Sequence, residues 1–365
     1  MISIVVLPGD GIGPEVTAEA IACLKLLSEE RGLGLTFTEH DFGGVAIDKH
    51  GHPLPPETLG ACRNADAVML GAVGGDQWND SPVRPEAGLL RIREELGLFA
   101  NLRPAKLLSD LQHLSPLRPD ISRDADILIV RELTGGIYFG ERTSEAHSAS
   151  DLCSYTRDEI ERIAHVAFRS AGHRRNKVTS VDKANVLATS KLWRQVVTEV
   201  AKDYPGVELE HMYVDACAMV LITNPRRFDV ILTENMFGDI LSDELSVIGG
   251  SIGLLGSASV GSSGPGVFEP IHGSAPAITG LNVANPAGAI ASAVMMLDEL
   301  GLGDSARILS AALDATLIEG CRTEDLGGSA TCSEFGERVR DNLRNCLSRS
   351  DAYRELFAMN RGLCA

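Results

Sequence analysis

Six short apolar runs, "SIVVL", "DAVMLGAV", "DILIV", "KVTSV", "LEHMYV" and "FDVILT", recur along the chain between segments of helical periodicity. No other feature constrains the fold as much. Runs of that length fit strands buried on both faces, and their alternation with helices points to an α/β protein whose sheet is favoured to be parallel. The helical segments carry their own signals. Val16, Ala20, Leu24 and Leu27 form one stripe that ends before Gly32. At Thr156 the "TRDE" stretch is a capping box with Glu159 at the third helical position, and Ile160, Ile163 and Ala167 continue that helix towards Gly172. A chain of 365 residues is long enough for two domains. Residues 249–266, "GGSIGLLGSASVGSSGPG", are too rich in glycine and serine to read as a regular element, and so suggest a crossing between domains or a ligand loop.

The first apolar run leads into "VLPGDGIGPEV". Its glycines, Gly9, Gly11 and Gly13, are spaced G-x-G-x-G rather than G-x-G-x-x-G, and the next acidic position after a strand, Asp41, lies too far along to hold a ribose. As a nucleotide signature the turn is weak. Pro14 suits the first turn of the following helix, where its missing N–H costs nothing.

The formal net charge of −17 argues against nucleic acid or an anionic membrane as a partner, so an anionic substrate needs local arginines. Eight scattered cysteines without a C-x-x-C pair indicate neither a zinc site nor a disulfide framework. The opening "MISIVVLPGD" lacks a basic n-region and turns glycine-rich too soon for a secretory leader, and no uncharged apolar run reaches spanning length, so a cytoplasmic protein is expected.

Three apolar runs end on charge: "ILIV" on Arg131, "VTSV" on Asp182 and Lys183, and "HMYV" on Asp215. Strand ends are where polar loops begin, which explains any one of them. Together they favour a ligand site beyond the carboxyl ends of the strands. In "ENMFGDILSDELS", Asp239 and Asp243 share a helix face; the pair is either a solvated acidic surface or two oxygen ligands for Mg²⁺ or Mn²⁺. Arg93, Arg103 and Arg131 could grip a dicarboxylate in bidentate fashion, while Arg91 with Glu94 or Glu95 fits surface pairing. Leu89 and Leu90 are either pocket lining or helix core.

Longer stretches are more specific. "LPGDGIGPEV", "GLLRIREELGLFANLRPAK", "RELTGGIYFGE", "VDKANVL", "MYVDACAM", "ENMFGDILSDE", "FEPIHGSAP", "ANP" and "DLGGSA" occur in the order in which they occur in the β-decarboxylating dehydrogenases, the isocitrate/isopropylmalate dehydrogenase family, which the chain resembles over nearly its whole length. The resemblance implies a two-domain isopropylmalate-dehydrogenase-like α/β fold, not a Rossmann fold. Residues 1–99 and 251–365 would form the larger domain, with both termini and the cofactor loops, and residues 100–250 the second domain with the dimer interface. It also implies oxidative decarboxylation of 3-isopropylmalate to 4-methyl-2-oxopentanoate, a step of leucine biosynthesis, with NAD and Mg²⁺ or Mn²⁺. The alternatives are a sister reaction on another 3-alkylmalate, D-malate, tartrate or homoisocitrate, or a silent binding paralogue.

Carried over residue by residue, the resemblance makes Tyr138, Lys183 and Asp215 catalytic. Arg93, Arg103, Arg131 and Asp215 bind the malate, with Leu89, Leu90 and Val186 at its alkyl group. Asp239, Asp243 and Asp215 hold the metal. A homodimer shares its sites, each borrowing Lys183 and Asp215 from the other copy. NAD is expected on Gly74, Gly75 and Glu86 of the loop 73–86, and on His272, Gly273, Ser274, Ala275, Ala277, Ile278 and Asn285 of the loop 272–286. The glycine turn of residues 9–13 then becomes mainly a strand-to-helix connection. Three positions depart from the family pattern. Ala277 stands where an aspartate usually holds the ribose and repels NADP, Leu281 replaces a polar residue, and Gly256 replaces a common proline. The tail "RELFAMNRGLCA", with Cys364, is either a helix end or a contact between subunits.

Overall fold

The computed structural model describes residues 1–107 and 109–362, with backbone only for residues 109 and 350–362; the tail stretch from residue 354 therefore lies outside the described side chains. In chain order the elements begin β1 (Ile2–Gly9), α1 (Gly13–Arg31), β2 (Leu35–Glu39), α2 (Gly44–His50), α3 (Pro56–Asn64), β3 (Ala67–Ala72), α4 (Glu86–Glu95), β4 (Ala100–Lys106), α5 (Pro119–Ser122), β5 (Asp126–Glu132), β6 (Arg142–Ser144) and β7 (Ala149–Asp151). They continue α6 (Arg157–Gly172), β8 (Lys177–Asp182), α7 (Ala188–Val200), β9 (Glu208–Tyr213), α8 (Val214–Thr223), β10 (Val230–Thr233), α9 (Asn235–Ile248), β11 (Gly256–Val260), β12 (Gly266–Pro270), α10 (Ala287–Glu299), α11 (Gly303–Ile318) and α12 (Cys332–Gly362). All six apolar runs are strands.

Two compact units form, one from Met1–Leu89 with the chain from Phe268 onward, the other from Leu90–Val267. The boundaries differ from the 99/100 and 250/251 that the resemblance implies. Strand pairing and packing explain the shift: Phe99 joins the core of the second unit, and β11 pairs antiparallel with β4, drawing residues 256–260 with it.

In the first unit the strand order is β2-β1-β3-β12, with β1 parallel to β2 and β3. Every residue of β3 is buried, as a strand covered on both faces requires. Helix α1 buries the expected stripe of Val16, Ala20, Leu24 and Leu27, has Pro14 in its first turn and ends at Gly32 in the left-handed conformation. It packs on α10 and α12, which contribute the buried Ile290, Met296, Phe335 and Leu343.

In the second unit the order is β11-β4-β5-β10-β8-β9. Strands β5, β10, β8 and β9 are parallel, whereas β4 runs antiparallel to both its neighbours. Helix α6 has the capping box read from the sequence: the Thr156 hydroxyl accepts from the Glu159 N–H while the Glu159 carboxylate accepts from the Thr156 N–H at 2.7 Å. Ile160, Ile163 and Phe168 of α6 and Trp193 and Val196 of α7 close over Val130, Val178, Val230 and Leu232 of the sheet. Helices α8 and α9 pack against each other, and α9 also touches β4, β5 and β10.

The glycine- and serine-rich stretch 249–266 is partly regular, contrary to its composition. Ile252–Leu254 make one 3₁₀ turn and Gly256 opens β11, where Ser257, Ala258 and Ser259 are buried. Small side chains let this strand lie in the interior, and Asn101 Nδ2 donates to Ser259 Oγ at 3.1 Å. No described helix is long and apolar enough to cross a membrane.

Candidate active site

The carboxyl ends of β5 and β10 bring the first cluster together. Arg131, near the end of β5, is 3% exposed; it lies across the start of α9, where Gly238 has no side chain, and a Cβ there would meet Arg131 Cγ at 2.7 Å. Arg131 Nε and Nη2 donate to Asn235 Oδ1 at 3.0 and 2.7 Å, and Nη1 pairs with Asp239. Burial pushes the Arg131 pKa down to about 10, with further lowering from the charges of Arg103 and Arg93, so all three expected arginines share one locality. Arg103 on β4 is held by Asn101 Oδ1 at 2.6 Å and Ser242 Oγ at 2.5 Å, and its guanidinium lies 3.8 Å from Asp239 and 3.7 Å from Asp243. Tyr138, in a short 3₁₀ turn after β5, donates its hydroxyl to Asp239 Oδ2 at 3.1 Å. Burial and the Asp239 charge hold the Tyr138 phenol above its ordinary pKa of 10.0, so it stays protonated at neutral pH. Burial likewise raises the Asp243 carboxyl, against the opposing pull of Arg103.

The second cluster lies where β8 and β9 end. Lys183 Nζ donates to Asp215 Oδ1 at 2.5 Å, and this ammonium holds the Asp215 carboxyl below its usual range. Asp182, the other charged residue at the end of that run, is structural: 1% exposed, it takes Arg194 Nε and Nη2 at 2.8 and 2.9 Å and the Ala184 N–H at 2.8 Å. Arg91 pairs with Glu95 at 3.5 Å, the surface reading. Of the expected alkyl-pocket residues, Leu89 is half-buried, while Leu90 and Val186 are exposed.

Asp239 and Asp243 stand one turn apart on α9 and offer only oxygen, which suits a hard divalent cation. Among the described residues no three His, Cys, Asp or Glu side chains gather to hold a metal, and Asp215, on α8, is paired with Lys183 beyond β8. Asp215, Met219 and Ile222 are spaced i, i+4, i+7 on α8, and Ile240, Asp243 and Val247 i, i+3, i+7 on α9; in each stripe the apolar members are exposed.

The two candidate cofactor loops belong to the first unit. Loop 272–286 includes a 3₁₀ turn at Pro276–Ile278, entered through Ala275 in the left-handed conformation (φ 41°). His272 Nδ1 lies 3.0 Å from the Gly273 carbonyl, so that nitrogen carries the proton. The acceptor left over, Nε2, is buried with no hydrogen-bond partner among the described residues, an open position that fits a donor group of a nucleotide. Ser274 is buried, while Gly273, Ala277 and Leu281 are exposed. Asn285 is engaged structurally: Nδ2 donates to Asp325 at 3.0 Å and Oδ1 accepts from the Ala287 N–H at the start of α10. In loop 73–86, Gly74 has φ 105° and a Cβ on it would come within 2.8 Å of Glu86 Oε1, so Gly74 and Glu86 are neighbours; Gly75 precedes a 3₁₀ turn at Asp76–Trp78.

Several residues that shape the site were not singled out from the sequence. Asn235, 1% exposed, orients Arg131 with its oxygen and ties down Leu133 and Gly135 with its amide nitrogen at 3.1 and 3.2 Å. Glu234 caps α9 by accepting from the Phe237 N–H at 2.8 Å and the Met236 N–H at 3.3 Å. Both precede the "MFGD" segment, and a polar pair at the N-terminus of a helix, Glu234 as its cap and Asn235 as its first residue, was the available signal.

Residues 3–339 match the isocitrate/isopropylmalate dehydrogenase family. A 3-isopropylmalate dehydrogenase of Staphylococcus saprophyticus is 54% identical over 342 residues, 93% of this chain and 99% of its own. One of Lactococcus lactis is 52% identical over 345 residues, 94% of this chain and 99% of its own. Among solved structures, an isocitrate dehydrogenase of Methylococcus capsulatus superposes with a TM-score of 0.86 at 33% identity, covering 94% of this chain and 100% of its own. A β-decarboxylating dehydrogenase of Thermococcus kodakarensis gives 0.81 at 38% identity, covering 96% and 98%. The chain belongs to the isocitrate/isopropylmalate dehydrogenase family.

Proposed function

We propose that the protein oxidises and decarboxylates 3-isopropylmalate to 4-methyl-2-oxopentanoate, a step of leucine biosynthesis, using NAD and Mg²⁺ or Mn²⁺. The observation that carries the reading is the cluster of Arg103, Arg131 and Tyr138 around Asp239: cationic forks for carboxylates, a protonated phenol and oxygen ligands in one place. The similarity to 3-isopropylmalate dehydrogenases supports it.

Asp239 and Asp243, with Asp215 of a second copy, would hold the cation, and His272 and its loop would hold the dinucleotide. When bound, these groups supply a hydride acceptor and a Lewis acid that eases ionisation of the substrate's 2-hydroxyl. Arg93, Arg103 and Arg131 bind the two carboxylates and fix the malate. Lys183, in its neutral form, takes the 2-hydroxyl proton, and after CO₂ leaves Tyr138 delivers its proton to C3. Leu89, Leu90 and Val186 meet the isopropyl group.

The exposed apolar stripes of α8 and α9 support a homodimer. Pairing them across a two-fold axis would cover Met219, Ile222, Ile240 and Val247 and carry Asp215 towards the other copy's Asp243. Ala277 leaves the dinucleotide loop without a carboxylate at that position, so NAD is used with weak discrimination against NADP.

The test is reduced-cofactor formation at 340 nm with 3-isopropylmalate and Mn²⁺, run with NAD and NADP and repeated with EDTA. NAD-linked turnover that EDTA abolishes, with 4-methyl-2-oxopentanoate as product, is the expected result. Turnover on D-malate or another alkylmalate alone would move the assignment to a sister reaction.

A further inference from the structure

The turn "PGDGIGPE", Pro8–Glu15, is more than a connection between β1 and α1. Asp10, 4% exposed, accepts three backbone N–H groups, from Gly44 at 2.8 Å, Val45 at 2.9 Å and Gly74 at 2.9 Å. Gly74 lies at the start of the loop 73–86. Two residues on, the Ile12 N–H donates to the Ser274 carbonyl at 2.9 Å. Gly11, at φ +59°, lets that carbonyl approach, for a Cβ there would stand 2.0 Å from it. Glu15, in the first turn of α1, accepts from the Gly280 N–H at 2.5 Å and the Asn282 N–H at 3.0 Å. Six residues, Asp10–Glu15, thus reach both loops: Asp10 holds one, Ile12 and Glu15 hold the other at two points.

We propose that Asp10 and Glu15 are positioning residues that set the placement of the two cofactor loops, and with it dinucleotide affinity, without touching dinucleotide or malate. This rests on reading those loops as the NAD site. Carboxylates suit the task because each has two acceptor oxygens and no donor, so it can face N–H groups from separate residues at once. An amide in place of Glu15 would turn an NH₂ towards the Gly280 or the Asn282 N–H and release that part of the loop, whereas at Asp10, where Oδ2 alone takes both the Gly44 and the Gly74 N–H, the whole carboxylate must be removed to free the loop. The glycine spacing that fails as a nucleotide fingerprint then has a different purpose: it brings the turn's backbone and acidic side chains against the loops that do the binding.

Glu15→Gln and Asp10→Ala in the full-length protein test this, with NAD binding followed by equilibrium titration, steady-state kinetics, and amide hydrogen exchange of the protein alone. In Glu15→Gln the Gly280 and Asn282 amides are expected to exchange faster, and the Kd and KM for NAD to rise roughly tenfold, the size of one lost hydrogen bond to a charged group. The kcat at saturating NAD and the KM for 3-isopropylmalate should stay within about twofold, a split that general destabilisation does not produce. Asp10→Ala should do the same, with faster exchange at Gly44, Val45 and Gly74; if it does not fold, Glu15→Gln decides alone. Faster exchange with an unchanged Kd for NAD overturns the proposal, as does an equal loss of kcat and of both affinities. If the unaltered protein shows no saturable NAD binding, the cofactor reading itself fails, before any variant is measured, and the proposal falls with it.

Discussion

In the proposed reaction Tyr138 is the proton donor; its raised phenol pKa keeps the proton on it at neutral pH, and its hydroxyl is anchored on Asp239. Tyr138→Phe is expected to lower kcat by about 10²–10⁴ while the KM for 3-isopropylmalate moves little; unchanged kcat would remove Tyr138 from the proton path. His272 has the opposite property: burial holds its imidazole below the ordinary value of 6.5, so its neutral form is favoured in the folded loop. Its contribution is present above pH 6.5 and is lost as pH falls through the lower folded value. NAD affinity should therefore stay flat from pH 8 through 6.5 and weaken only as pH falls through the lower folded value of His272, which titrations across pH will check. Ala277→Asp is expected to raise the ratio of kcat/KM for NAD over NADP by about tenfold or more. Arg131, Asp239 and Asp243 were legible because charge at a strand end or a repeated carboxylate on one helix face is unusual, and Arg103 because "GLLRIREELGLFANLRP" is dense in arginine. Asn235 and Ser242 were not, because they act through partners far along the chain, Arg131 at 104 positions from Asn235 and Arg103 at 139 positions from Ser242. Asp182 was legible as charged but not as structural, since its partner Arg194 becomes a neighbour only once α7 packs beside β8.

Elements with a strong local signal were the legible ones. The capping box of α6 needs only residues 156–159, and Thr156→Ala should cost about 1 kcal/mol of stability, read as a lower denaturant midpoint with unchanged slope. The six apolar runs declared themselves because a buried parallel strand has little freedom in composition. Strand β4, "ANLRPAK", hid its character behind Arg103 and Pro104, and β11 behind serine and glycine; both are defined by antiparallel partners rather than by their own sequences. Composition misleads there because a buried strand of small residues and an exposed loop draw on the same amino acids.

The two-unit organisation was readable from length, while its boundaries at 89/90 and 267/268 depended on which strands pair. The chain's net charge of −17 makes the gathering of Arg93, Arg103 and Arg131 stand out as a local reversal for an anionic substrate. The exposed stripes on α8 and α9 make a dimer the expected species in sedimentation, and Ile240→Lys should shift it towards monomer with loss of turnover. Full activity of that monomer would refute the sharing of Lys183 and Asp215 between copies. The decisive measurement is kcat/KM with NAD and Mn²⁺ for 3-isopropylmalate beside D-malate and other 3-alkylmalates. A preference for 3-isopropylmalate over D-malate of at least about tenfold, as an apolar pocket discriminates by roughly 1–3 kcal/mol for one methylene, is the expected result. A preference for D-malate, or no turnover of 3-isopropylmalate by the metal-loaded protein, would contradict it.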